Sequence, residues 1–332
     1  MEDPDVVVRE SGGIVDAATL RRRCGAQRVR RAVDAGEIVL LRRGRYGVPG
    51  LADAARLAVE LNGTISHLSA ALAWGWQVKD PPDRPHLTLP RGRTVSTRHR
   101  REVHLHWQDR PPRAHVDARG VRLADPLETL VGCLRSEPFP AALSVADSAL
   151  RSGRVRRADL LDAVTTSART GRTRALRVAR AADGRAANPF ESCLRAICLD
   201  VRGLTVRPQV QIGPYRVDLA DVALGIVIEA DSRTWHAGPA EHDADIRRYT
   251  ALVAGGWILV RFTHHDVMHD PAYVATVLAD VVDQARRTRG ARRVSDRTPA
   301  SPSPGTPARP RRSRARRTPP GAAAPRRPAR SR

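Results

Sequence analysis

Tyr215-Arg216-Val217-Asp218-Leu219-Ala220, Gly225-Ile226-Val227-Ile228-Glu229-Ala230-Asp231 and Trp235-His236 form the stretch on which the fold turns. Strands rich in β-branched residues that end in carboxylates rarely serve packing alone, because a carboxylate is costly to desolvate without a partner. A divalent metal is the commonest reason for several to converge. The two runs predict a β-hairpin, with Tyr215 to Ala220 and Gly225 to Ala230 as its arms. Side chains alternate faces along a strand, so Asp218 and Glu229 share a face only if the connecting loop holds an even number of residues. In that register the two lie diagonally, roughly 7–8 Å apart at the backbone. Both could then reach one Mg²⁺ at about 2.1 Å from each oxygen. The unbroken run Ile226-Val227-Ile228 predicts a central strand covered on both faces.

Upstream, Asn188-Pro189-Phe190-Glu191 opens a helix whose apolar positions include Leu194, Ile197 and Cys198. Glu191, third in the helix after an Asn and a Pro, is either half of a capping box or a third acid for the hairpin site. Downstream, a helix is expected over about residues 240–254, with Ile246, Tyr249 and Val253 on one face and Asp245, Arg247 and Arg248 elsewhere. A buried strand from Trp257 to Phe262 follows, then His264-His265-Asp266, then a last helix from about Pro271 to Ala285.

Residues 11–50 read as helix, turn, helix and two-stranded wing. Asp16 caps a helix running through Arg23 and ended by Gly25, and a second helix spans Gln27 to Ala35. Ile38 to Leu41 and Tyr46-Gly47-Val48 are strands joined by Arg42-Arg43-Gly44-Arg45. This is a winged-helix layout, assigning residues 1–50 to a DNA-binding domain. Arg28, Arg30 and Arg31 would enter a major groove, and Arg42, Arg43 and Arg45 would meet phosphate. The alternative is an arginine-rich solvated face. Residues 51–183 form a mixed α/β middle region, with helices at Leu51–Leu61, Ser66–Trp74 and after Asp125-Pro126, and alternating strands at His86–Leu89 and Val103–Trp107. His104 and His106 share a strand face. They could be half a metal site, but no acid or histidine at suitable spacing completes it, and a solvated face is the preferred reading.

The 332 residues carry a net charge of +22, which suggests a polyanionic partner. Residues 286–332 hold sixteen arginines against one acid, Asp296, so +15 of that charge sits there and +7 on the preceding 285 residues. Pro, Ser, Arg and Ala dominate that tail without apolar periodicity, and residues 298–332 should be disordered. Lys79 is the only lysine, for which codon bias in a GC-rich genome is the preferred explanation, so the arginine count alone is weak evidence of DNA binding. Cys24, Cys133, Cys193 and Cys198 form no CxxC pair, against a zinc ribbon or disulfide framework and in keeping with a reducing cytosol. No apolar run nears membrane-spanning length and no signal-peptide pattern opens the chain, so a cytoplasmic location is expected.

The order helix with Glu, strand with Asp, strand with Glu-x-acid, helix, strand is that of PD-(D/E)XK nucleases. Residues 187–285 resemble the very-short-patch-repair-endonuclease-like family, domains of unassigned function, over about 30% of the chain. The resemblance rests on Pro189-Phe190-Glu191, Val217-Asp218, Glu229-Ala230-Asp231, Trp235-His236, Asp245-Ile246-Arg247-Arg248-Tyr249 and Gly256 through Phe262. Residues 11–150 more loosely resemble the AbiEi-type antitoxin winged-helix region. Together these imply an α/β (α+β) chain: winged helix, mixed middle region, restriction-endonuclease-like α-β-β-β-α-β core, and basic tail.

By that resemblance Asp218 is the main metal ligand, assisted by Glu229 or Glu191, with Mg²⁺ (or Mn²⁺) as cofactor. His236 would handle the attacking water, and Asp245 and Arg247 would brace the site or hold phosphate. The motif's lysine is replaced by Asp231, and arginine cannot serve as a base in its stead. The cysteine and histidine cluster that binds structural zinc in the true repair enzymes has no counterpart, so mismatch repair does not follow. Two functions are carried forward. One is a metal-dependent DNA endonuclease positioned by its N-terminal module. The other is an antitoxin-like repressor with an inactive nuclease fold, for which a toxin partner would be expected. RNA as the substrate stays open.

Overall fold

The computed structural model describes residues 1–231 and 239–295, with residues 239–242 and 289–295 described as backbone only. The chain begins with a helix not expected from the sequence, α1 (Pro4–Glu10), capped by Asp3. Then follow β1 (Ile14–Asp16), α2 (Ala17–Cys24), α3 (Ala26–Asp34), β2 (Val39–Arg42) and β3 (Arg45–Gly47). Asp16 caps α2 through Thr19 N at 2.9 Å, and Gly25 closes it at φ +82°. The strands pair in the order β1-β3-β2 over a core that includes Val7, Leu20, Val29 and Ile38. The turn between β2 and β3 needs Gly44, whose φ of +80° lies in the left-handed region.

The middle region comprises α4 (Asp53–Glu60), β4 (Thr64–Ile65), α5 (His67–Ala73), β5 (His86–Pro90), α6 (Thr97–Glu102), β6 (His104–Gln108), β7 (Ala114–Val116) and β8 (Arg122–Ala124). The helices α7 (Pro126–Ser136), α8 (Phe139–Arg151), α9 (Arg157–Thr166) and α10 (Arg172–Ala181) complete it. Its strands order as β6-β5-β4-β8-β7. Pro126 takes the first position of α7, as the sequence suggests, and Asp125 caps the helix.

The last region is α11 (Pro189–Cys198), β9 (Arg207–Ile212), β10 (Tyr215–Asp221), β11 (Ile226–Asp231), α12 (Pro239–Ala254), β12 (Ile258–Thr263), α13 (His264–His269) and α14 (Pro271–Ser295). Its sheet runs β12-β11-β10-β9, with β11 and β12 parallel and the other neighbours antiparallel. The whole is an α+β chain whose last region follows the expected α-β-β-β-α-β order. Ile226, Val227 and Ile228 are fully buried in the central strand. Helix α14 continues to Ser295, beyond the expected end at Ala285. The tail expected to be disordered, from residue 298, lies outside the described residues.

Packing crosses the boundary expected between residues 183 and 187. Arg195 on α11 donates to both oxygens of Asp147 on α8, at 2.8 and 2.7 Å, and Ser192 Oγ adds a bond at 2.8 Å. Both charged side chains are almost fully buried. Ala196 of α11 belongs to the core formed by α7–α10.

One expected face of a helix is corrected. A stripe of apolar residues normally turns toward the core, yet Ile246 and Val253 of α12 are 50% and 57% exposed. Leu252 is buried, and Asp245 and Arg248 are half-buried on the same side as Leu252. The sheet beneath presents carboxylates at that point, and these select the polar stripe.

Candidate active site

The hairpin register brings Asp218 and Glu229 together. Strands β10 and β11 pair as Leu219↔Ile228, Ala220↔Val227 and Asp221↔Ile226. One step further, Asp218 stands directly opposite Glu229, rather than diagonally as the sequence reading had it. The connecting residues 222–225 are even in number, so both side chains share a side. The ladder stops before this step, and the Asp218 carboxylate takes over: its Oδ2 accepts Ala230 N–H at 2.9 Å. The turn itself is built by buried Asp221, which accepts Leu224 N–H at 2.9 Å and Thr205 N–H at 2.7 Å.

Burial raises the pKa of both carboxyls, and their mutual repulsion pushes Glu229 further, to about 7. Arg248 opposes this, donating from Nη2 to Glu229 Oε1 at 2.7 Å and to the Arg216 carbonyl at 2.8 Å. Arg248 therefore performs the bracing expected of its neighbour Arg247, which is exposed. Consecutive helical residues point about 100° apart, and the inverted face of α12 decides which one reaches the sheet.

Glu191 sits in the first turn of α11, with Asn188 as the cap. Its backbone N–H donates to the Asn188 side chain at 2.9 Å, and its carboxylate accepts Ala187 N–H and Asn188 Nδ2, each at 2.9 Å. The carboxylate also accepts Gln209 Nε2 at 2.8 Å, and the same nitrogen stands 3.5 Å from Asp218 Oδ1. Glu191 thus reaches the pair through an amide. Desolvation, with Asp218 nearby, raises its pKa. Gln209 was not identified in the sequence; its place opposite Asp218 on the neighbouring strand was the signal available.

Asp231 is engaged by Arg261 at 2.6 Å, and that guanidinium lies over the Tyr249 ring at 4.2 Å. The position that holds lysine in the motif is therefore an ion pair here. Asp245 is half-buried on α12. His236, assigned to the attacking water, lies outside the described residues.

Among the described residues, no three His, Cys, Asp or Glu side chains are placed to hold a metal ion together. Asp218 and Glu229 form a two-carboxylate, all-oxygen set, which suits Mg²⁺ or Mn²⁺, since such ions commonly take one or two carboxylates and keep several waters. The raised pKa values also mark carboxylates short of positive charge. The residues fit the ion as a pair, with Glu191 held behind them.

The histidines form a different cluster. His104 stays partly exposed, but His106 turns from solvent: its Nε2 meets His86 Nδ1 at 3.1 Å and its ring stacks on that of His67 with centres 3.4 Å apart. His67 Nδ1 meets Ser66 Oγ at 2.9 Å, and His104 bonds Asp83 at 2.6 Å. Among the described residues no group of three ligands forms around His104 and His106, so the half-site reading fails as well.

Of the arginines assigned to DNA, Arg30, Arg31, Arg42 and Arg43 are exposed. Arg28 is exposed too but donates to the Met1 carbonyl at 2.7 Å. Arg45 turns inward against Gly120, and its Nε and Nη2 are buried without a hydrogen-bond partner. Desolvation lowers its pKa. Arg45 is thus a packing residue between β3 and the middle region, which leaves Arg42 and Arg43 as the exposed arginines of the β2–β3 turn.

Residues 190–282 match the family REase_MTES_1575, and this part of the chain is a restriction-endonuclease-like domain. The uncharacterized proteins MT2308 (strain CDC 1551 / Oshkosh) and Rv2248 (strain ATCC 25618 / H37Rv) of Mycobacterium tuberculosis are each 35% identical over 169 residues. That covers 48% of this chain and 62% of each relative. The crystal structure of the RV2827C protein from Mycobacterium tuberculosis is 18% identical, covering 62% of this chain and 82% of that one, with a TM-score of 0.35, a likeness too loose to bear on function. No helix among the described residues is long and apolar enough to cross a membrane.

Proposed function

We propose that the restriction-endonuclease-like domain is a metal-dependent DNA endonuclease of PD-(D/E)XK type, delivered to DNA by an N-terminal winged helix. The observation that carries this is the direct juxtaposition of half-buried Asp218 and buried Glu229, two carboxylates whose pKa values are both raised. Mg²⁺ or Mn²⁺ held there would neutralise phosphate charge and acidify a bound water. Asp218 is oriented for this by Ala230 N–H, and Glu229 by Arg248. Arg248 also stands where a phosphate oxygen could exchange for the Glu229 carboxylate. His236 remains the residue assigned to the water's proton, as an imidazole titrating near neutrality suits that role. Exposed Arg30, Arg31, Arg42 and Arg43 support a DNA contact on α3 and the β2–β3 turn.

The ion pair that occupies Asp231 favours a second reading, an antitoxin-like repressor with a toxin partner and an inactive nuclease fold. Plasmid nicking separates the two. Under the first, wild type nicks with Mg²⁺ or Mn²⁺ and Asp218→Ala abolishes nicking while DNA affinity is kept. Identical behaviour of the two proteins, with binding lost only on substituting Arg30, Arg31, Arg42 and Arg43, would establish the second.

A further inference from the structure

We infer that Gln209 is the positioning residue of the carboxylate pair and sets its affinity for a divalent cation; this rests on the metal-binding role proposed for Asp218 and Glu229. Strands β9 and β10 hold one register from Tyr215↔Ile212 to Ala220↔Arg207. Between Val217↔Val210 and Leu219↔Pro208 the same register would set Asp218 opposite Gln209, and only at that step is the ladder pairing lost. Asp218 is therefore released from regular pairing on both of its neighbours.

The cause lies in the backbone of Gln209, whose φ is +54°. Left-handed backbone is unfavourable for a residue with a Cβ, and glutamine lacks the short side chain that lets asparagine tolerate it. Strain of this kind persists where surrounding structure holds it, and it gathers at functional sites. No turn requires it here, since β9 continues on both sides. What the conformation achieves is the placement of one carboxamide nitrogen, 2.8 Å from Glu191 Oε2 and 3.5 Å from Asp218 Oδ1. Only the nitrogen end of the amide can face two carboxylates, because both are acceptors. The amide thereby ties Asp218 to Glu191, which is itself fastened by Ala187 N–H and Asn188. Without it, Asp218 loses a donor on the side away from Ala230, and nothing separates its charge from that of Glu191.

Loss of such an outer partner typically weakens a metal site roughly 10–100-fold. The test is a Mn²⁺ titration of the full chain by calorimetry and by electron paramagnetic resonance, with thermal unfolding alongside. Gln209→Gly accepts the positive φ without strain, so its unfolding temperature should hold or rise while Mn²⁺ binding weakens about tenfold or more. Gln209→Asn keeps a backbone suited to that φ but is one methylene short, and should fall between Gln209→Gly and wild type. A purely structural role would move the unfolding temperature and leave Mn²⁺ affinity alone. Gln209→Gly binding within about twofold of wild type, while Asp218→Ala loses binding, overturns the inference and spares the metal site. Wild type that binds Mn²⁺ no better than Asp218→Ala overturns the metal site itself, and the role of Gln209 with it.

Discussion

Two buried polar clusters sit on two sheets of this chain, and chemistry divides them. On the five-stranded sheet, His67, His86 and His106 satisfy one another and Ser66, because a neutral imidazole both donates and accepts. Burial lowers all three pKa values, to about 4 for His86 and His106, so the cluster is uncharged at neutral pH. On the four-stranded sheet, Asp218, Glu229 and Glu191 can only accept once deprotonated, and Ala230 N–H, Gln209 and Arg248 answer only part of the charge they would then carry. A group of ligand-type residues is thus a poor guide to a cation site. An unmet demand for positive charge is the better one.

The sharpest way to break this comparison is to change one member of each cluster. Asp218→Ala should cut nicking by roughly a thousandfold or more, the scale of transition-state charge stabilisation a metal supplies. His106→Gln should leave nicking unchanged. Comparable losses from both would erase the distinction.

Another buried acid sharpens the contrast, for Asp147 carries its cation with it. Asp147→Ala leaves Arg195 buried and unpaired, and should cost about 3–5 kcal/mol in urea unfolding. Burial raises the Asp147 pKa more than Arg195 lowers it, so the pair is held against a large desolvation penalty. Replacing both residues, Asp147→Leu with Arg195→Met, should therefore restore most of the loss.

The two clusters also predict opposite pH dependence. The histidines have folded pKa values below their unfolded ones, so the unfolded chain binds more protons between about pH 4 and 6.5. Their contribution to stability is complete above that window and is lost as pH falls through it. Glu229 is displaced upward, to about 7, so the folded state holds the extra proton and its contribution falls as pH rises from about 4.5 toward 7. Asp218→Asn with Glu229→Gln should make unfolding curves rise more steeply with pH, and His106→Gln should flatten them. Mn²⁺ affinity should increase from pH 6 to 8, because binding displaces the Glu229 proton. A pH-independent affinity would contradict the raised pKa. The smallest effect concerns solvent-facing charge: removing residues 290–332 should flatten the salt dependence of DNA binding through lost counterion release, with nicking chemistry intact.

Local signals in the sequence located most elements. Asp16, Asp125 and Asn188 cap the helices they precede, and each cap lies within a few residues of what it satisfies. Whether Asp218 and Glu229 share a side reduced to the parity of the hairpin loop, because alternation along a strand is a property of the backbone alone, and the register supplied that parity. Which side of α12 faces the sheet was not legible: its apolar stripe points outward, and Arg248 rather than Arg247 reaches Glu229. The histidine cluster draws His67 from α5, His86 from β5 and His106 from β6, so spacing within one strand pointed to only one of its members.

The amino-acid sequence by itself determined the order of the helices and strands around the site, the caps, and the condition under which two acids share a face, since each depends on neighbours along the chain. Only the tertiary structure decided that Glu191 reaches the pair through Gln209, that Arg248 answers Glu229, that Arg45 is withdrawn from the wing, and that Asp147 joins α8 to α11. Those outcomes depend on which surfaces meet across long stretches of chain, where desolvation and charge pairing choose among side chains that local patterns leave equivalent.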